Sequence, residues 1–348
     1  MDTPSSSTPV TLEDVARRAG VSPSTASRAL NGSSRKVRGE YQVRVHAAAV
    51  ELGYIANTAA QAVARGRSEH LAMVVNGIND DYFSPVAAGV LKAAEAADRM
   101  VTMISSRNSA QQAAQVVSAL RSQRPRAIIL AGGRSVASTR WEERLVEELA
   151  AFQEEGGRVV AISEEGMPFD TVSLDNVAAA ADLAGAMAGL GYRRVTILGG
   201  PADARTAHDR VRGFVAGLAE HGVEVPPSEV LHCGFDRDGG YSAAGECLRR
   251  RVPAELVLAI SDTVAVGAIA RFREAGMSLP ADMAVAGIDD VTVLRDVAPA
   301  LTTVRLPWPE AGRAALDLAL RPTEAEPRLV RMTGHVVLRE STPGIGGG

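Results

Sequence analysis

A short stretch near the N-terminus carries side chains suited to reading the edges of DNA bases. Residues 22–28 read Ser-Pro-Ser-Thr-Ala-Ser-Arg, so small polar groups accompany a single arginine. A helix with such a slender outer face fits the major groove, where Arg28 can donate two hydrogen bonds to a guanine edge. Ser22, Thr25 and Ser27 can bond phosphates or bases. At this point an ordinary helical hairpin with solvated hydroxyls explains the same residues.

A second set of polar and aromatic side chains follows apolar runs in the rest of the chain. In open α/β sheets, ligands bind beyond the carboxyl ends of the strands. That rule selects Asn79, Asp80, Asp81, Tyr82, Phe83, Ser163, Arg205, Thr206, Arg210, Phe235, Asp236, Asp262 and Asp289. Carboxylates, forked guanidinium groups and flat rings suit a polyhydroxyl ring, because they bind its hydroxyls and cover its C–H face. Solvent-exposed loop polarity is the alternative explanation.

The elements that position the first set are two short helices. Apolar residues recur at helical spacing at Leu12, Val15, Ala16 and Ala19. Thr11 can cap this helix, and Gly20 supplies the turn because a left-handed backbone costs glycine least. Ser22 caps the next helix, and Pro23 takes its first position, where no N–H is needed. The pattern predicts helices over residues 12–19 and 23 to about 30.

The elements that position the second set are strands that alternate with helices. Apolar runs occur at Leu71–Val75, Met100–Ile104, Ala127–Leu130, Val159–Ile162, Val195–Leu198, Glu229–Cys233, Val257–Ile260 and Ala284–Gly287. Amphipathic segments of ten to fifteen residues separate them, a pattern typical of parallel sheets covered on both faces. Eight strands exceed what one small sheet needs, so the sequence predicts two lobes.

Composition and charge restrict the function classes. Residues 1–68 carry nine Lys/Arg and five Asp/Glu, whereas the whole 348-residue chain has a net charge of −4. A basic head on an acidic body is expected if only the head meets phosphates. The polar stretch Met1–Pro9 lacks the features of a signal peptide, and Cys233 and Cys247 form no CxxC pair. We therefore expect a cytoplasmic protein with no metal site and no cofactor.

The residues of the head resemble those of a known family. Val10 to Asn31 read Val-Thr-Leu-Glu-Asp-Val-Ala-Arg-Arg-Ala-Gly-Val-Ser-Pro-Ser-Thr-Ala-Ser-Arg-Ala-Leu-Asn, and Leu52-Gly53-Tyr54 is followed by Asn57. This pattern resembles the lactose-repressor/galactose-repressor family, strongly over residues 10–57 and more weakly to about residue 341. The resemblance implies an N-terminal all-α helix-turn-helix headpiece and an α/β two-lobed sensor with parallel sheets, similar to periplasmic binding proteins.

The resemblance also implies which residues meet DNA. Pro23, Ser24 and Arg28 correspond to base-reading positions, and a third helix of about Glu40 to Leu52 completes the unit. A hinge helix, about Thr58 to Ala64, orders on DNA in the family and pushes Val63, where leucine is usual, into the minor groove. Packing within the helix explains Val63 equally well. The full predicted DNA-binding set is Thr11, Ser22, Pro23, Ser24, Thr25, Ser27, Arg28, Asn31, Asn57, Ala60 and Val63.

The ligand contacts of the family correspond to five of the residues that the strand rule selects. The predicted effector-binding set is Phe83, Ser163, Thr206, Arg210, Phe235, Asp262 and Asp289, of which Ser163 and Asp262 rest on the strand rule. We expect a small polar effector, a sugar or sugar derivative, with a nucleobase or nucleoside as the alternative. Ser163 stands where some relatives carry a stacking aromatic ring, which leaves the identity of the effector open.

These inferences predict a domain organisation. We expect a disordered N-terminus (1–9), a helix-turn-helix domain (10–57), a hinge helix and linker (58–68), an effector-binding and dimerisation domain (69–341) and a flexible tail (342–348). Within the large domain, we expect lobe 1 to hold about 69–174 and 307–328, and lobe 2 to hold about 175–306 and 329–341. Three crossovers between the lobes would form a hinge.

The sequence therefore predicts a homodimeric transcriptional repressor that binds a palindromic operator on the nucleoid and responds to a small effector by allostery.

An exported sugar-binding protein would share the two-lobed body, but it leaves residues 10–64 unexplained. An enzyme on a doubly wound fold would need a nucleophile–base pair or a metal cluster, and the six histidines are scattered with no HExxH motif. No P-loop or GxGxxG fingerprint occurs, and we expect no catalytic residues and no membrane partner.

Overall fold

The computed structural model describes residues 10–31, 37–54, 68–78, 82–322 and 324–345, and at residue 31 the backbone only. The chain divides into two compact units, Met1–Ser68 and Glu69–Gly348. Each unit is described by itself below.

The first unit is a small three-helix cluster. Its helices are α1 (Leu12–Ala19), α2 (Pro23–Asn31) and α3 (Gly39–Leu52), which agree with the helices that the sequence predicts. Thr11 caps α1 in a reciprocal capping box with Asp14, and Gly20 ends the helix at a φ of 64°. Small side chains fill the core and let the helices approach closely, namely Val15, Ala16, Ala19, Ala26, Ala29, Val45, Ala48 and Ala49.

Lobe 1 of the second unit is built on a six-stranded parallel sheet. Its strands are β1 (Leu71–Val75), β2 (Val101–Ser105), β3 (Ala127–Ala131), β4 (Arg158–Ile162), β5 (Asp170–Leu174) and β11 (Leu329–Met332), in the order β11-β5-β4-β3-β1-β2. Its helices are α4 (Phe83–Ala96), α5 (Ala110–Gln123), α6 (Arg140–Glu154) and α11 (Trp308–Leu320). Helices α4 and α11 pack together, as do α5 and α6. Gly89 permits the first contact, since a Cβ there would lie 2.0 Å from the Pro309 carbonyl oxygen.

Lobe 2 is built on a four-stranded parallel sheet. Its strands are β6 (Val195–Gly200), β7 (Val230–His232), β8 (Leu256–Ala259) and β9 (Ala284–Ala286), in the order β7-β6-β8-β9. Helix α7 (Asn176–Gly189) packs on α8 (Arg205–Ala219), and α9 (Arg237–Arg250) packs on α10 (Asp262–Glu274). An antiparallel ribbon of β10 (Thr303–Arg305) and β12 (His335–Val337) adjoins this lobe.

The third crossover between the lobes lies later than the sequence predicts. Residues 329–341 were expected in lobe 2, but β11 pairs with β5 in lobe 1, with Leu329 opposite Thr171. The predicted boundary at 328/329 is therefore wrong, and the chain leaves lobe 1 only after Met332. An ion pair holds this segment on lobe 1. Arg328 donates to the buried carboxylate of Asp170 from its backbone N at 2.8 Å and from its guanidinium at 2.9 Å.

The C-terminal segment is also more ordered than predicted. The expectation of a flexible tail over 342–348 is wrong for residues 342–345, while 346–348 lie outside the described residues. Thr342 is 3% exposed and bonds the hydroxyl of Thr302 at 2.7 Å. The Tyr192 hydroxyl donates to the Pro343 carbonyl at 2.7 Å, and Ile345 N donates to the Leu190 carbonyl at 2.7 Å. Hydrogen bonds of side chains and backbone, rather than an apolar pattern, hold this segment on lobe 2.

Candidate DNA-reading helix and effector cleft

Helix α2 presents its polar residues outward. Ala26 and Ala29 are buried against the rest of the head, whereas Pro23, Ser24 and Arg28 are exposed. No hydrogen bond or ion pair within the described ranges of the chain engages the Arg28 guanidinium. An exposed guanidinium between small side chains can reach the floor of a major groove without steric obstruction.

The start of α2 is held by hydroxyl groups. Ser22 Oγ lies 2.8 Å from Thr25 Oγ1 and 3.0 Å from Ser24 Oγ, and it accepts from Thr25 N at 3.2 Å. Thr25 and Ser27 are half-buried. These contacts hold the first turn, where exposed hydroxyls and the helix N-terminus can donate to a phosphate.

Thr11 performs a structural task in α1. Its hydroxyl donates to Asp14 Oδ2 at 2.7 Å, and Asp14 N donates back to Thr11 Oγ1 at 3.3 Å. The bond from the Thr11 hydroxyl is the main cause of the lowered pKa of Asp14. Among the remaining predicted DNA contacts, Asn31 ends α2. Asn57, Ala60 and Val63 lie outside the described residues.

The second unit contains a cleft of about 690 Å³ between its lobes. Five of the seven predicted effector residues line it, namely Ser163, Thr206, Arg210, Phe235 and Asp289. They come from loops after β4, β7 and β9 and from the first turns of α8, so the carboxyl-end rule locates the cleft. Phe235 is 38% exposed there, which leaves a ring face available to a ligand.

A buried polar network centres on Arg210. Its guanidinium donates to Asp289 Oδ1 at 3.0 Å, to Asn176 Oδ1 at 2.8 Å and to the Ile260 carbonyl at 2.6 Å. The side chains of Arg210 and Asp289 are only 3% and 10% exposed. Burial raises the pKa of Asp289, and Arg210 opposes that rise. Because several partners fix the guanidinium, Arg210 and Asp289 together can offer preorganised donors and acceptors to hydroxyl groups.

Asp289 adopts an uncommon backbone conformation at the edge of this network. The φ of Asp289 is 124° and that of Asp290 is 53°. Residues other than glycine rarely adopt positive φ angles. Asp289 N donates to the Val304 carbonyl at 2.9 Å, and Asp290 N donates to Thr303 Oγ1 at 3.2 Å. Backbone strain of this kind persists only where surrounding contacts enforce it, and it is concentrated at ligand sites.

Sequence reasoning missed several residues that line the cleft. Asn76 and Asn108 follow β1 and β2, so the same strand rule would have found them had it been applied to the first residues after each strand. Trp308 follows β10, a strand too short to be predicted. Its ring lies 5.1 Å from that of Tyr82, and its Nε1 is buried.

Two predicted effector residues do not line the cleft. Phe83 begins α4 and packs half-buried against the core, while its neighbour Tyr82 takes the position at the cleft. Asp262 is fully buried at the first position of α10, where it accepts from Thr303 Oγ1 at 2.7 Å and from Val291 N at 2.9 Å. Burial, then the nearby Asp289 carboxylate, raises the pKa of Asp262 to about 7. Its flanking residues Ser261 and Thr263 line the cleft instead.

The described residues contain neither a metal-binding cluster nor a helix that could span a membrane. No three His, Cys, Asp or Glu side chains gather there in a way that could hold a metal ion. Within the same residues, no helix combines the length and apolar character that a membrane span requires. Cys233 and Cys247 are both free thiols.

Comparisons with known proteins assign both units. Residues 68–338 match the family described as "Periplasmic binding proteins and sugar binding domain of LacI family". Residues 11–57 match the family described as "Bacterial regulatory proteins, lacI family". The transcriptional regulator GalS of Salmonella typhimurium is 31% identical over 314 residues, which cover 90% of this chain and 89% of GalS.

Solved structures agree with this assignment. A complex of the transcriptional regulator CelR with cellobiose has a TM-score of 0.70 and 27% identity, and the match covers 95% of this chain and 99% of CelR. A lac repressor dimer bound to operator and an anti-inducer has a TM-score of 0.83 at 23% identity, over 97% and 100% of the two chains, which shows the shared fold. The chain therefore belongs to the LacI family of bacterial regulatory proteins, and it is a DNA-binding transcriptional regulator, not an enzyme.

Proposed function

We propose that this regulator is a repressor whose affinity for its operator is set by a small polyhydroxylated effector, a sugar or sugar derivative, bound in the interlobe cleft. The observation that carries the proposal is the buried Arg210–Asp289 pair, which lines a cleft of about 690 Å³ together with aromatic rings. A cavity of that size is typical of small-molecule sites, and the pair offers donors and acceptors to adjacent hydroxyls.

The head supplies the operator contact in this proposal. Arg28 reads a guanine edge from α2, Pro23 and Ser24 lie against neighbouring bases, and the hydroxyls of the first turn bind phosphates. Residues 58–68 act as hinge and linker, Val63 enters the minor groove, and Asn57 and Ala60 are further DNA contacts. Thr11, which also caps α1, and Asn31 are the remaining predicted DNA contacts.

We propose further that the protein acts as a homodimer in the cytoplasm, bound to the nucleoid. A two-fold dimer presents two α2 helices to two half-sites, so a palindromic operator matches the symmetry of the protein. The lac repressor structure, which shares this fold, is a dimer on its operator.

A nucleobase or nucleoside is the second candidate effector. Tyr82, Trp308 and Phe235 all contribute to the lining of the cleft, and flat rings can stack on a base. The amides of Asn76 and Asn108 offer a donor and an acceptor each, as recognition of a base edge requires. The CelR complex, by contrast, contains cellobiose, and this favours a sugar.

Mobility-shift assays on the DNA that flanks the gene of the protein test the proposal. The purified full-length chain is titrated at physiological ionic strength with galactose, ribose, cellobiose, adenosine and cytidine, each in a separate series. We expect a specific shift that one sugar relieves, with calorimetry giving a single site per chain. Relief by a nucleoside would select the second candidate, and no specific shift under any condition would overturn the role of the head.

A further inference from the structure

The two lobes of the second unit are joined directly at one edge of the cleft. Residues 134–136, which follow β3 in lobe 1, run antiparallel to residues 203–205, which precede α8 in lobe 2. Val136 N donates to the Asp203 carbonyl at 2.8 Å, and Arg205 N donates to the Arg134 carbonyl at 2.8 Å. We call these six residues the interlobe ladder.

A buried carboxylate lies beside the interlobe ladder. Glu164 is 8% exposed in the loop after β4 of lobe 1. It accepts from the Thr206 hydroxyl of lobe 2, and its Oε2 also accepts from Ser163 Oγ at 3.1 Å and Arg134 N at 3.2 Å. One side chain therefore binds donors from both lobes, and hydrogen bonds to a carboxylate are stronger than those between neutral groups.

The backbone leaves space for this contact. A Cβ on Gly133 would lie 3.0 Å from Thr206 Oγ1 and 3.3 Å from Glu164 Oε1, closer than most side chains tolerate. A glycine at this position therefore lets Thr206 and Glu164 approach each other. The ladder, the glycine and the carboxylate are separate features that all favour contact between the lobes at this edge.

We propose that Glu164 is a positioning residue that clasps lobe 1 to lobe 2 through the Thr206 hydroxyl and sets how readily the cleft opens. Thr206 lines the cleft, so an effector that binds this hydroxyl must share it with Glu164 or displace it. Only this last consequence rests on the proposed function. The clasp thereby links occupation of the cleft to movement of the lobes, since a ligand shifts an equilibrium by its differential contacts with the two states.

Single-molecule energy transfer on the full-length chain tests the clasp without effector or operator. Dyes are attached at cysteines that replace the exposed Glu143 of lobe 1 and Glu220 of lobe 2, with Cys233 and Cys247 changed to serine. We expect Thr206→Val to lengthen the mean distance between the dyes and broaden its distribution. The loss of one charge-assisted bond should change the ratio of closed to open molecules roughly tenfold. Thr206→Ser keeps the hydroxyl and should retain the wild-type distribution.

Glu164→Gln is the second variant, because it removes the negative charge and leaves at most a weaker bond between neutral groups at Thr206. It should shift the distance in the same direction as Thr206→Val. Glu165→Gln is the matched control, since Glu165 pairs with Arg331 at 2.5 Å within lobe 1. Wild-type distributions for both Thr206→Val and Glu164→Gln would overturn the clasp, even if a sugar binds the cleft. A shift in both would support it, even if none of the tested sugars binds.

Discussion

Arg210 and Asp289 hold each other in a two-point ion pair, with Arg210 Nη2 3.0 Å and Nη1 3.4 Å from the two carboxylate oxygens. The pair joins α8 to the segment after β9, so the same contact stabilises lobe 2 and lines the cleft. Removal of one partner from a buried pair leaves an uncompensated charge, which costs more than the pair itself contributes. We therefore expect stability and effector binding to be coupled at this position.

The first prediction concerns Asp289. Asp289→Ala should lower the free energy of unfolding by about 3–5 kcal/mol, because Arg210 is left buried without its partner. Asp289→Asn retains an acceptor and should cost less, yet it should still weaken effector binding. Urea unfolding and calorimetry with the sugar identified in the mobility-shift assay measure the two effects. Asp317→Asn, in an exposed pair with Arg313, is the control. Wild-type effector affinity in Asp289→Asn would contradict the assignment.

The second prediction concerns Arg28. Arg28→Ala should weaken operator binding by about 1–3 kcal/mol and reduce discrimination at one base pair of each half-site. Competition binding against a set of single-base operator variants measures both. Arg18→Ala is the control, since Arg18 bonds Glu51 at 2.6 Å within the head. Unchanged affinity and unchanged discrimination in Arg28→Ala, across a series of salt concentrations, would remove Arg28 from the base-reading set.

The head could be predicted because its determinants are local. Thr11, Gly20 and Pro23 each mark a helix boundary through the backbone of their own segment, and the structure places the boundaries at those residues. The apolar strands of the large unit were predicted for a similar reason. Strands that are buried on both faces read as continuous apolar runs, as β1 and β3 do.

Strand β5 shows why other parts could not be predicted. Its sequence is Asp-Thr-Val-Ser-Leu, and every residue is buried. Burial of Asp170 depends on Arg158 at 2.6 Å and on Arg328 at 2.9 Å, residues that are 12 and 158 positions away. A scan for apolar runs cannot detect a polar strand whose charge is neutralised from a distance. The strands β10 and β12 are three residues long, too short for any periodic signal.

The candidate site, like the fold, could be predicted only in part from the sequence. Arg210 and Asp289 could be selected because they follow strands with a clear apolar pattern. Asp262 follows such a strand too, but the structure turns its side chain into the protein, where Thr303 binds it. Trp308 was missed because β10, which positions it, gives no signal in the sequence. The rule finds the edge of the sheet, whereas packing between distant segments decides which side chains face the cleft.

The third prediction concerns the pH dependence of stability. The pKa of Asp262 in the folded protein is about 7, above its ordinary value of 3.8, because of burial and then the Asp289 carboxylate. The folded state therefore holds a proton that the unfolded state loses, so this carboxyl group stabilises least at high pH. Its contribution is fully present below about pH 4 and decreases as the pH rises to 7, by up to roughly 4 kcal/mol.

Asp262→Asn isolates that contribution. The amide oxygen can still accept from the Thr303 hydroxyl, and the residue no longer titrates; the bond from Val291 N is lost equally at every pH. We expect the difference in unfolding free energy between the variant and the wild type to move in favour of the variant as the pH rises from 5 to 7.5. Urea unfolding followed by tryptophan fluorescence at several pH values measures this. Parallel curves for the two proteins over that interval would show that Asp262 does not titrate there.

The fourth prediction concerns three arginines that share one carboxylate. Asp290 accepts from Arg339 Nη2 and Arg305 Nε, each at 2.5 Å, and from Arg295 Nη2 at 2.9 Å. Burial alone would raise the pKa of Asp290, but the arginine bonds, with that to Arg339 the strongest, hold it below its ordinary value. The arginines differ in exposure, since the side chain of Arg339 is 13% exposed and that of Arg295 is 44% exposed.

That difference gives a matched pair of variants. Arg339 also donates to the Leu301 carbonyl at 2.7 Å, so Arg339→Met should lower the unfolding free energy by about 1.5–3 kcal/mol. Arg295→Met removes a pair that water screens, and it should cost less than about 1 kcal/mol. Thermal and urea unfolding at pH 7 compare them directly. Equal losses in the two variants would mean that burial does not determine how strongly each arginine holds Asp290.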